Sequence, residues 1–161
     1  MEMSGESGQF RAVVEIRSMA DTDQLGARIA SGLQPGRAVA LEGDLGAGKT
    51  TLARAVLRAL GVTENVPSPT FTLVQTYETR NFPVRHFDLY RVETEEELDE
   101  LGFDEAVDEG VVMIEWPERA QGRIPPEALR VALSISPNGS RTAELRGPQH
   151  WQASLGNPND R

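Results

Sequence analysis

The chain contains no cysteine, and of its sixteen basic side chains fifteen are arginine and one is lysine. Without cysteine there are no disulfides and no thiolate metal sites, a composition that fits a cytoplasmic location. No apolar run approaches the roughly 20 residues that a membrane-spanning helix needs, so no membrane partner is expected. The opening "MEMSGESGQ" lacks both the basic start and the apolar core of a secretion signal. Positive charge is also in short supply: 25 Asp and Glu against 16 basic residues give a net charge of −9. A field of that sign repels phosphate backbones, so avid direct binding to DNA or RNA is not expected without a local basic patch or a partner that supplies the cations.

What the chain does have is material for one core. Its 161 residues are 39 % apolar and 25 % charged, the balance of a single globular domain. Composition divides it into a flexible N-terminus (residues 1–9), a domain over 10–147, and a flexible tail over 148–161 in which Trp151 alone is suited to dock. Within the domain, strand and helix patterns alternate. "FRAVVEIRS" reads as a strand and "ADTDQLGARIASGLQPG" as a helix capped by Asp21, with Leu25, Ile29 and Leu33 on one face. "RAVALEG" is a short strand, and "KTTLARAVLRALG" a helix closed by Gly61. "TFTLVQTYE" and "FPVRHFDLYRV" read as strands with a turn around Arg80 and Asn81. Thr94 and Glu97 form a capping box for a helix ending at Gly102. "VVMIEW" is the strand to expect at the centre of a sheet, and Asn138-Gly139 turns a final hairpin. The expected fold is α/β, with a mixed sheet flanked by helices.

The lysine stands in "LEGDLGAGKTT". Gly43, Gly48, Lys49 and Thr50 satisfy G-x-x-x-x-G-K-[ST], preceded by a strand and followed by a helix. Glycines let backbone N–H groups close around an anion, and the helix adds its positive end. A compact ammonium on a flexible stem reaches between β- and γ-phosphates where a planar guanidinium is too wide, which explains why the one lysine is here. Asp44, Leu45, Gly46, Ala47, Gly48, Lys49, Thr50 and Thr51 are therefore expected to wrap the phosphates of a nucleotide. Thr50 is a candidate ligand of Mg²⁺ and Thr51 a partner of the α-phosphate. The domain is expected to be of the P-loop NTPase kind.

Three further elements can serve that site. Glu115 ends the apolar run "VVMI", where an acid serving the metal is usual; the alternative is pairing with Arg119. In "HFDLYR", His86 and Asp88 share one face of an extended segment, so Asp88 can serve the metal or the attacking water while His86 holds it, or both can be ordinary residues of a solvated face. Ser68 and Thr70 flank Pro69 in "SPTFTL" and offer hydroxyls to a γ-phosphate. Lys49, Asp88 and Glu115 are the candidate catalytic residues, and Thr50, Asp88 and Glu115 the candidate metal ligands. Arg91 is a candidate for an additional cation. The ten acids between Glu93 and Glu109 form either a solvated face or a dock for a basic partner.

"LEGDLGAGKTTLARA", "VPSPTFTLVQTYE", "HFDLYR", "ELDELGFDE" and "VVMIEWPERA", in this order and spacing, resemble the TsaE (formerly YjeE) family of bacterial ATPases over about Val14 to Arg146. The resemblance implies an ATPase needed to make N6-threonylcarbamoyladenosine at position 37 of tRNAs that read codons beginning with A. It implies work with the transferase TsaD and its companion TsaB, hydrolysis that is weak alone and stimulated in the complex, and resetting of the transferase by turnover. It makes "SPTFT" a nucleotide-sensing segment and matches Thr50, Asp88 and Glu115 to positions implicated in metal binding and hydrolysis, without saying which acid touches Mg²⁺. Two alternatives stay open: an assembly module whose output is ATP binding itself, and a small GTPase-like switch, for which no lysine remains to build a guanine-reading N-K-x-D signature.

Overall fold

A computed structural model describes residues 9–69, 72–120 and 122–156. β1 (Gln9–Ile16) leads into α1 (Met19–Ser31), β2 (Ala38–Glu42) and α2 (Lys49–Ala59). Then come β3 (Val74–Glu78), β4 (Pro83–Asp88), α3 (Glu95–Glu100), α4 (Phe103–Glu109) and β5 (Val111–Glu115). A short 3-10 turn at Pro117–Ala120 precedes β6 (Leu129–Ile135), β7 (Arg141–Pro148) and α5 (Trp151–Leu155). The seven strands form one sheet in the order β1-β7-β6-β2-β5-β4-β3. β6, β2, β5 and β4 run parallel, while β1, β7 and β3 add antiparallel edges through the two hairpins, so the sheet is mixed as expected.

Strand parity decides what each face carries. On β5, Val111 and Met113 join the core under α1, α2 and α5, whereas Val112 and Ile114 join the core under α3 and α4. Every residue of β5 is buried, as a strand covered on both faces requires. α1 presents Leu25, Ile29 and Leu33 to the first core. It lies close on α2 because Gly26 has no Cβ: one placed there would stand 2.6 Å from Cβ of Ala55.

Several local expectations shift. The cap of α1 is Ser18, whose hydroxyl accepts the Asp21 N–H, while the Asp21 carboxylate turns back to accept the Arg17 N–H at 2.9 Å. Asp21 thus ties down the residue before the cap and does not itself cap the helix. Of "TFTLVQTYE" only Val74–Glu78 is strand, because Leu73 has φ of 68° and breaks the extension; Thr70 and Phe71 lie outside the described residues. The acidic stretch holds a second helix, α4, after Gly102 with φ of 69°. The tail also differs from its composition. β7 runs to Pro148, and α5 brings Trp151 to complete burial beneath α1. No helix of the described residues is long and apolar enough to cross a membrane.

Candidate functional site

The parallel strands β2, β4 and β5 all end at one edge of the sheet, and in register Leu41 pairs with Glu115 and Glu115 with Asp88. Ligands of open α/β sheets collect at such carboxyl ends. β2 runs directly into the glycine loop, whose backbone turns through positive φ at Gly43 (145°), Gly46 (81°) and Gly48 (106°). Any Cβ at Gly43 would stand 2.6 Å from the Leu133 carbonyl oxygen, so that position has no room for a side chain. Gly48 then starts α2, placing Lys49, Thr50 and Thr51 in the first turn.

Parity brings the acids to the same place. His86 and Asp88 alternate with Phe87, and Glu115 lies two residues beyond Met113, so all three face the side on which α2 packs. The Thr50 hydroxyl donates to both Glu115 oxygens at 3.0 and 2.9 Å. His86 Nε2 stands 2.7 Å from Glu115 Oε2, inside the protein; facing a carboxylate, that nitrogen carries the proton. The partner of His86 is thus Glu115 on the neighbouring strand, which spacing along "HFDLYR" does not reveal. Asp88 Oδ1 accepts the Tyr90 N–H at 3.0 Å.

Lys49 is buried and donates to the carbonyls of Gly43 and Asp44, the latter at 3.1 Å. Its ammonium also stands 4.1 Å from the centroid of the Trp116 ring, within cation–π range. Burial lowers its pKa from the ordinary value, and the nearby Glu115, Asp88, Glu118 and Asp44 oppose the shift. Trp116 reaches this position through φ of 60°, a left-handed turn at the end of β5, and its other neighbour is the Tyr90 ring at 4.8 Å.

A cleft of 260 Å³ gathers most of these residues: Leu45, Gly46, Gly48, Lys49, Thr50 and Thr51 with Ser68, Asp88, Glu115, Trp116 and Arg141. Asp44 contributes its carbonyl to Lys49, and Ala47 is buried beneath the loop. Ser68 belongs to a segment held from α2, where Arg54 Nε donates to the Val66 carbonyl at 2.7 Å. Thr70 lies outside the described residues. Arg91 is exposed and does not line the cleft; the arginine that does is Arg141, reaching across from β7 to donate to the Gly46 carbonyl at 3.1 Å. Sequence reasoning missed Arg141 and Trp116, the first because its contact spans 95 residues and the second because only its backbone twist aims the ring.

Chemically, a glycine loop of this kind at the head of a helix can receive an anion, and the Lys49 ammonium stands beside it. Thr50, Glu115 and Asp88 offer hard oxygen donors suited to magnesium. Among the described residues no group of three or more His, Cys, Asp or Glu is arranged to hold a metal alone. A cation here needs further oxygens from phosphate or water, which is how magnesium is usually held beside nucleotides.

The family described as "Threonylcarbamoyl adenosine biosynthesis protein TsaE" matches residues 16–143. A protein of Rickettsia felis named tRNA threonylcarbamoyladenosine biosynthesis protein TsaE is 40 % identical over 126 residues, covering 78 % of this chain and 74 % of its own length. Its namesake in Haemophilus influenzae is 47 % identical over 108 residues, covering 66 % and 68 %. Among solved structures, that of Bacillus subtilis YdiB superposes with a TM-score of 0.72 at 25 % identity, covering 88 % of both chains. The chain belongs to the TsaE family of threonylcarbamoyladenosine biosynthesis proteins.

Proposed function

We propose that this protein binds ATP with Mg²⁺ at residues 43–51 and hydrolyses it, as the ATPase of tRNA N6-threonylcarbamoyladenosine synthesis. The observation that carries the reading is the Thr50 hydroxyl seated on the Glu115 carboxylate at the head of α2, beside the Lys49 ammonium. Thr50, with Glu115 or Asp88, would hold the magnesium ion. When bound, magnesium supplies positive charge to the β- and γ-phosphate oxygens. Backbone N–H groups of the loop orient the phosphates, and Lys49 exchanges its carbonyl partners for phosphate oxygens. The carboxylate left clear of the cation, Asp88 or Glu115, takes a proton from the attacking water as its oxygen bonds to the γ-phosphorus. The bond to the β,γ-bridging oxygen breaks, and ADP leaves with that oxygen.

Partners fit the same cleft. Leu45, 72 % exposed, and Tyr90, 41 % exposed, bring apolar surface to the neighbourhood of the site. A TsaD–TsaB complex docked there would cover both and exclude water from the phosphates, the condition under which a weak ATPase is stimulated. The tRNA then meets the partners and not this acidic chain. The deciding experiment is ATP turnover with and without TsaB and TsaD, with Lys49→Ala as control. Stimulation that Lys49→Ala abolishes is expected. Equal rates with and without partners, or a clear preference for GTP, would defeat the proposal.

A further inference from the structure

Ser68 lines the phosphate cleft together with Lys49, Thr50, Asp88 and Glu115, but it is held there differently. Lys49 and Thr50 stand on the first turn of α2, and Asp88 and Glu115 end two paired strands, so regular backbone hydrogen bonds fix each of them. Ser68 belongs to a stretch without helix or strand between α2 and β3. That stretch leaves α2 at Val62, whose N–H donates to the Leu57 carbonyl at 3.0 Å. From 63 to 67 no backbone–backbone hydrogen bond occurs among the described residues. Val62 and Val66 are buried in the core that α2 covers, which holds the stretch down. Apolar burial is non-directional, however, and does not by itself aim a hydroxyl.

One directional contact does. Arg54 Nε donates to the Val66 carbonyl at 2.7 Å, and a charged donor makes a stronger hydrogen bond than a neutral one. No ion pair among the described residues involves this half-buried arginine. Val66 stands two residues before Ser68, at most about 7 Å of extended chain, so a held carbonyl confines the serine. Arg54 also lies four residues beyond Thr50, on the same face of α2. One helix therefore carries the end of the glycine loop at its head and the tie to Ser68 one turn later. Past Ser68 the chain is tied to the opposite wall of the cleft. There the Leu73 N–H donates to the Pro69 carbonyl at 2.7 Å, and the Leu73 carbonyl accepts the Asp88 N–H at 2.9 Å.

We propose that Arg54 is a positioning residue for the terminal phosphate: by holding the Val66 carbonyl it sets Ser68 relative to Lys49, so that the serine hydroxyl meets a γ-phosphate oxygen. The proposal rests on residues 43–51 being the phosphate site. ADP lacks the phosphate that Ser68 would meet, so calorimetry on the full chain in Mg²⁺ compares ADP with the β,γ-imido analogue of ATP. Arg54→Met keeps the stem and removes the donors, whereas Arg54→Lys keeps a charged donor. Arg54→Met is expected to weaken the analogue about fivefold or more while ADP stays within about twofold, and Arg54→Lys to recover part of the loss. Ser68→Ala should show the same selective loss, and adding Arg54→Met to it should cost little more, since both remove one interaction. Equal losses for the two nucleotides, a lowered melting temperature with the ratio of affinities unchanged, or fully additive losses in the double variant overturns the proposal. Hydrogen exchange on the parent chain decides independently of whether any variant folds. Amides at 63–68 should exchange about tenfold more slowly with the analogue than with ADP, and equal exchange overturns the proposal. Lys49→Ala is expected to weaken both nucleotides; undiminished binding of both by that variant overturns the phosphate site itself.

Discussion

The Thr50 hydroxyl and the Glu115 carboxylate meet through both carboxylate oxygens, at 3.0 and 2.9 Å, across the gap between the head of α2 and the end of β5. A fork of this kind keeps the hydroxyl and the carboxylate aimed at the position where a metal ion and a water would both be wanted. Replacing one oxygen of Glu115 by an amide keeps its shape and removes its basicity. Glu115→Gln is expected to bind MgATP within a few-fold of the parent and to lose turnover by on the order of 10²-fold or more. Single-turnover assays beside calorimetry check the split; turnover that survives would move the base to Asp88.

Behind Glu115 stands His86, which fixes the carboxylate through Nε2 at 2.7 Å. Its Nδ1 has no hydrogen-bond partner among the described residues, so this one contact orients the ring. His86→Gln can keep an N–H toward Glu115, whereas His86→Ala leaves the carboxylate free to swing. The alanine variant should lose about 10- to 100-fold in kcat with little change in KM for ATP, and the glutamine variant should recover part of that loss. Equal damage from both substitutions would mean that His86 acts only by filling space.

Trp116 holds a left-handed backbone, φ of 60°, that costs an ordinary L-residue about 1 to 2 kcal/mol and glycine almost nothing. Trp116→Gly and Trp116→Ala lose the same contacts to Lys49 and Tyr90. Chemical denaturation should therefore find the glycine variant more stable than the alanine variant by about 1 kcal/mol, the reverse of the usual cost of glycine. Identical midpoints would show that the backbone relaxes once the ring is gone.

The Tyr77 hydroxyl is buried without a hydrogen-bond partner among the described residues, and burial chiefly raises its pKa, with Glu64 adding and Arg54 opposing. Tyr77→Phe removes an unsatisfied group of nearly unchanged shape and should stabilise the fold by about 1 kcal/mol. The phenol is neutral in the folded chain at a pH where the unfolded chain ionises it. Stability contributed by that difference is full below the ordinary value of 10.0 and falls as pH rises beyond it. The phenylalanine variant should lose that part of the alkaline slope in unfolding experiments at pH 9 to 11.

At the other end of the molecule, Trp151 is completely buried against α1 despite its place in a polar tail. Trp151→Ala should cost about 3 to 5 kcal/mol, visible in thermal melts. A change below about 1 kcal/mol would show that α5 contributes little and that the domain ends with β7.

The glycine loop, the buried strand and the order of elements were legible in the sequence because each is a local pattern with a local cause. Three glycines and a lysine between strand and helix describe an anion cradle before any contact is known. The cap of α1 misled because Ser18 and Asp21 both have capping side chains, and only geometry assigns which one accepts the N–H. The tail misled because composition weighs Gly, Pro and Asn against one tryptophan, whereas docking depends on whether a groove awaits that ring.

By itself the sequence determined which groups the chain brings to strand and helix ends: the residue types, their spacing and their parity place an ammonium, a hydroxyl and two carboxylates there. Only the tertiary structure decided how they combine. Register between β4 and β5 put His86 on Glu115, a left-handed turn put Trp116 over Lys49, and the β6–β7 hairpin carried Arg141 to a loop 95 residues away. Pairings of that kind depend on sheet order and close packing, which arise when distant segments bury their apolar faces together, and no local pattern encodes them.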